Sequence, residues 1–145
     1  MRIQFSSDAE IERIGRGLLD RSLPKAEWTH AAHFAAVLWL LRHRDVTEVA
    51  TEMSGWIRRY NEATGVANTT TGGYHETITI ASIRAAKSVL AGHDAHAPLQ
   101  HVLNSLLAGD LGRSDWLLRY WSRERLLSPE ARREWMDPDL LPLPF

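Results

Sequence analysis

Apolar residues recur along the chain at helical spacing, and no series of alternating strands and turns accompanies them. Ile11, Ile14, Leu18 and Leu19 follow an S-x-x-E pairing of Ser7 and Glu10, and together they predict a first helix over about 8–20. "RSLPKAE" breaks it. A second helix is predicted from Trp28 or Thr29 to about Arg44, apolar on every side through its middle, as a central buried helix is. The third has Thr47 as its predicted cap. Its stripe of Val49, Met53, Trp56, Ile57 and Tyr60 faces inward, Glu48, Glu52, Arg58, Arg59 and Glu62 face water, and Gly65 ends it.

The stretch "GVANTTTGGYHETIT" that follows has almost nothing apolar to bury. "TITI" alternates as a strand would, but "ASIRAAKSVLAG" directly after it is helical, so one helix is predicted from about 74 to 91. Pro98 opens a fifth helix with Leu99, Val102, Leu103 and Leu106 as its stripe. A sixth is predicted around 116–123, Ser128-Pro129 starts a short seventh, and residues 136–145 read as an extended tail on the surface. The expected fold is therefore all-α: a single-domain helical bundle of about six to seven helices over residues 1–145.

Composition narrows the function classes. At 145 residues the chain is long enough for one real core. A net charge of -1 leaves little electrostatic footprint for nucleic acid or an anionic membrane. The absence of cysteine excludes disulfides, thiolate catalysis and zinc–thiolate sites, so any metal would need nitrogen and oxygen ligands. "MRIQFSSDAEIERIGR" lacks the apolar centre of a secretory signal, and the run "FAAVLWLL" is far short of the ~20 residues of a spanning helix. The expectation is a cytoplasmic protein with a small-molecule ligand and no nucleic-acid or membrane partner.

The candidate chemistry follows from how such helices pack. Short connections favour antiparallel neighbours, so the second and fourth helices start at the end where the third finishes. "WTHAAH", "YNE", the threonine loop and "YHET" then meet. At about 100° per residue His30 and His33 share one face, and His75 points inward from the fourth helix. His30, His33 and His75 are the candidate metal ligands, for a divalent ion of the zinc, iron, nickel or manganese group. His75, Glu76 and Tyr74 are the candidate catalytic groups. Trp28, Tyr60, Asn61, Asn68, Thr69, Thr70, Thr71 and Thr77 are candidate substrate contacts, with Arg58 or Arg59 as a source of positive charge.

A metal-dependent enzyme acting on a small polar or anionic substrate is one reading of this set. The others are acid–base catalysis by a metal-free histidine pair, and a metal-free small-molecule or anion-binding module, a sensor, built on backbone N–H groups beside threonine hydroxyls. Asn, Thr and Gly-Gly also serve simply as caps and turns. His43, His93, His96 and His101 read as ordinary satisfied or exposed histidines, and Trp116, Tyr120, Trp121 and Trp135 as core or as the face of a homodimer.

"WTHAAH" and "GYHETIT", with "IRRYNEATG" between them, resemble a group of small bacterial proteins of unknown function that share W-T-H-x-A-H and Y-H-E-T segments, over roughly residues 25–90. That resemblance implies no activity. In character the chain is also similar to the DinB-type helical bundles, whose metal site takes three histidines from separate helices. Here two of the three share a helix, so neither that family's metal nor its chemistry is carried over.

Overall fold

Helices begin where a side chain can accept the free N–H groups of the first turn. In a computed structural model of the chain, which describes residues 5–145, Ser7 caps α1 (Asp8–Asp20) by accepting the Glu10 N–H at 3.3 Å. Glu10 does not close the reciprocal box: its carboxylate accepts from the backbone and hydroxyl of Ser6 instead. Thr29 caps α2 (His30–His43). Asp45 rather than Thr47 caps α3 (Val46–Ala63), because its carboxylate reaches the Thr47 N–H at 2.8 Å. Helix α4 (Glu76–Ala91) begins two residues later than the pattern predicts, since His75 occupies the cap position. Helix α5 (Leu99–Ala108) follows Pro98.

The predicted sixth helix is two pieces. A 3-10 turn, Trp116–Arg119, is followed by α6 (Arg123–Leu126), which the Ser122 hydroxyl starts afresh by accepting the Arg125 N–H. Ser128 caps the short α7 (Pro129–Arg133) in the same way. Two more 3-10 turns, Lys25–Glu27 and Asp110–Gly112, complete an all-helical bundle with no strand among the described residues. Met1–Gln4, the head of the segment read against a secretory signal, lie outside those residues. None of the described helices is long and apolar enough to cross a membrane.

Helix α2 is the axis. Ala32 and every residue from Phe34 to Leu40 are buried, and α1, α3, α4 and α5 all pack against it. Its contact with α1 is close enough to dictate a glycine. A Cβ on Gly15 would lie 2.4 Å from Trp39 Cε3, inside the indole ring. Two of the late tryptophans belong to the same core. Trp116 and Trp121 are 5% and 0% exposed, and Trp121 Nε1 donates to the Met136 carbonyl at 2.9 Å. Residues 136–145 are non-helical, as expected, but pinned rather than loose: Leu140 N–H donates to Tyr120 O at 2.8 Å, Asp139 accepts from Ser122, and Arg84 donates to Phe145 O.

Gly15→Ala provides a test of the α1–α2 contact. In an exposed helix this change stabilises by about 1 kcal/mol. Here the expected result is a loss of about 1–3 kcal/mol, because the rigid indole must move. Chemical denaturation decides between the two, and a gain would show that Trp39 does not rest on the α1 backbone.

Candidate functional site

The segment between α3 and α4 is organised by one side chain. Asn68 Oδ1 accepts from Asn61 Nδ2 and from the Tyr74 N–H, both at 3.0 Å, while its Nδ2 donates to the Arg58 carbonyl at 3.1 Å. The chain must double back tightly to allow this. It does so at Gly73, with φ +80°, where a Cβ would meet Ala67 O at 2.5 Å and Asn68 Oδ1 at 2.7 Å. Thr69 closes the inner turn: its hydroxyl accepts the N–H groups of Thr71 and Gly72, and its own N–H donates to Gly72 O. The loop thus consumes many of its own N–H groups and is less of an anion-binding concavity than its composition predicts.

Positive charge comes to the loop from elsewhere. Arg58, Asn68, Thr69, Thr70 and Tyr74 line a groove of about 220 Å³ whose other wall is α7, with Pro129, Arg132 and Arg133. Arg58 lies over the Tyr74 ring at 4.8 Å. Arg132 Nη1 donates to the carbonyls of Gly73 and Tyr74 at 3.0 and 3.3 Å, which ties α7 to the loop. The side edge of that guanidinium remains: Nη2 makes no protein hydrogen bond among the described residues, and Nε is buried without a partner. No carboxylate lines the groove, and none lies within ion-pair distance of Arg58, Arg132 or Arg133 among the described residues.

Of this lining, Asn68, Thr69 and Thr70 are among the candidate substrate contacts read from sequence, Tyr74 is one of the candidate catalytic groups, and of the two arginines named as a source of charge Arg58, not Arg59, is present. Arg132 and Arg133 are not among the residues read from sequence. "SPEARR" does announce a short helix ending in two cations, but no spacing in the sequence says which surface that helix meets.

The three histidines are not brought together as a ligand set. His30 Nε2 donates to Leu111 O at 2.8 Å, toward the Asp110–Gly112 turn. His33 turns the other way, under Trp28 at 3.8 Å between ring centroids, with Nδ1 donating to Thr29 O. His75 spends both nitrogens: Nε2 donates to Leu126 O at 2.7 Å, and Nδ1 accepts the Ile78 N–H that makes it the α4 cap. It has no lone pair left to coordinate a cation. No group of three His, Asp or Glu residues suited to a metal ion occurs among the described residues.

The remaining candidates are placed by packing. Tyr74 donates to Glu76 and is 4% exposed, and burial followed by that hydrogen bond pushes its hydroxyl pKa well up, away from acid–base work at neutral pH. Thr77 is fully buried, its hydroxyl donating to Glu134 O and accepting from Met136 N, so it holds the C-terminal segment rather than a substrate. Tyr60 is buried with its hydroxyl on Leu23 O, and its ring lies 5.3 Å from Trp28. The start of α2 thus meets the end of α3 through Trp28 and Tyr60, and the end of α3 meets the threonine loop through Asn61 and Asn68, while Thr71 stays exposed outside the groove.

No family model, no curated protein and no solved structure matches the chain.

The histidines still leave a measurable signature. Desolvation lowers the His33 pKa to about 4, against the raising effect of the Thr29 carbonyl, with a small further lowering from His30. It also lowers that of His75, with Leu126 O opposing and Arg132 assisting. Unfolded histidines titrate near ~6.5, so below that pH the unfolded chain binds more protons than the folded one. Stability is therefore expected to be level above about pH 7 and to fall as pH drops, with the His33 contribution complete near pH 4. Thermal denaturation across this range checks it, and His33→Asn is expected to flatten the slope. A melting temperature unchanged between pH 7 and 5 would refute the burial of neutral rings.

Proposed function

We propose that the protein is a binding module for a small anionic ligand carrying a phosphoryl or carboxylate group, held in the groove between the threonine loop and α7. One observation carries the reading: the side edge of Arg132. Nε–H and Nη2–H together form the fork that makes two parallel hydrogen bonds to such a group, and it is this edge that no protein acceptor takes. An orphaned buried donor costs roughly 1–3 kcal/mol, and an anionic oxygen brought to it removes that cost.

The surroundings suit the same ligand. Arg58 and Arg133 add two charges with no carboxylate opposite them, and the exposed Thr70 adds a hydroxyl donor. At about 220 Å³ the groove is smaller than the ~300–1,000 Å³ of drug-sized pockets, which fits a small ion or the charged end of a larger molecule. Because Arg132 is already fixed by Gly73 and Tyr74, little side-chain freedom is lost on binding.

Calorimetric titration with inorganic phosphate, and in parallel with succinate, tests the proposal and ranks the two chemistries. Saturable binding that weakens with added salt is expected. Arg133→Ala, an exposed change, is expected to weaken it about tenfold, equivalent to ~1.4 kcal/mol. Arg132→Lys keeps the charge, removes the fork, and is expected to weaken it at least as much. Binding unaffected by either substitution, or no binding of either ion, would overturn the reading.

A further inference from the structure

A second cavity, on the other side of the C-terminal half, has the opposite character. It holds about 500 Å³ between the last turn of α4, α5 and the 109–120 segment, within the range of ~300–1,000 Å³ typical of small-molecule sites. Its walls are aromatic and aliphatic: Trp116, Tyr120 and Phe145, with Val89 and Leu106. Trp116 meets Tyr120 edge-on at 6.2 Å and Phe145 at 6.0 Å. The two charges at its mouth cancel, since Arg119 Nη1 pairs with Asp110 at 3.2 Å.

One polar atom in this lining is both buried and without a partner. The Trp116 indole N–H is buried with no acceptor, whereas Trp121 Nε1 donates to Met136 O and Trp135 Nε1 to Asp137. Buried indole N–H groups ordinarily find an acceptor, and leaving one unpaired is costly. His93 donates from Nδ1 to Val89 O at 2.9 Å, so in the uncharged ring Nε2 is the acceptor, and it has no protein partner among the described residues.

We infer that this cavity binds a neutral, planar heteroaromatic molecule of one or two rings that carries a carbonyl-type acceptor for Trp116 and an N–H donor for His93. Flat aromatic walls select the ring, the cancelled ion pair disfavours a charged ligand, and the orphaned N–H selects the acceptor. Trp116 is 5% exposed and its N–H is buried, so the acceptor reaches it only by displacing part of the wall. The inference is independent of the arginine groove.

Isoquinolone, which has both the carbonyl and the N–H, and naphthalene, which has the same shape and neither, are suitable probes for the intact chain. In a 15N–1H spectrum isoquinolone is expected to move the Trp116 indole cross-peak downfield more than any other tryptophan's, and to bind at least tenfold more tightly than naphthalene. Ser105→Phe, at an exposed lining position, is expected to fill the cavity and abolish binding without changing the melting temperature. Trp116→Phe is expected to erase the preference between the probes. The inference fails if neither probe binds, if both bind alike to the wild type, if the Trp116 cross-peak stays still, or if Ser105→Phe binds isoquinolone as well as the wild type does.

Discussion

A helix whose middle, Phe34 to Leu40, is apolar on every side has to be covered all round, and most of this structure is that covering. Helix α1 supplies one flank, and a missing side chain at Gly15 lets the Trp39 indole lie against its backbone. Helices α3, α4 and α5 take the others. Phe34 extends the contact further, with its ring 6.5 Å from that of Trp116 in the C-terminal half. The demand of one apolar segment therefore reaches residues more than halfway along the chain, and it explains why Trp116 is buried.

What the sequence made legible was local. Ser7 and Ser128 act as caps because their hydroxyls meet an N–H three residues ahead, a relation written in the spacing itself. The apolar stripes of α1, α3 and α5 carry their own period. Even the meeting of "YNE" with the threonine loop was legible, because Asn61 and Asn68 stand only a few residues apart along the chain. Arg132 and Arg133 were not, since a five-residue helix has no stripe long enough to say where it docks, and only tertiary structure places it across from residue 58.

The histidines show the other limit. A helical wheel gives a direction for a side chain but not the partner it finds on the way. His75 was placed on an inner helical face, yet it stands one residue before the helix, where its ring serves the backbone at both nitrogens. His30 and His33 share a face, and each still turns to a different carbonyl, because a buried or half-buried imidazole takes the nearest acceptor available. Polar residues gathered at one end of a bundle are as readily the hardware of loop closure as of chemistry. Here the discriminating feature was the guanidinium edge that closure left over.

The tie from Arg132 to the carbonyls of Gly73 and Tyr74 joins residues almost 60 positions apart. As a chain is synthesised from its N-terminus, the threonine loop and Arg58 leave the ribosome long before α7 exists. The groove thus has one wall until α7 emerges and docks. Its geometry is a record that the later segment has docked, so a nascent or clipped chain lacking residues 132 and 133 has one wall of the cleft without the other.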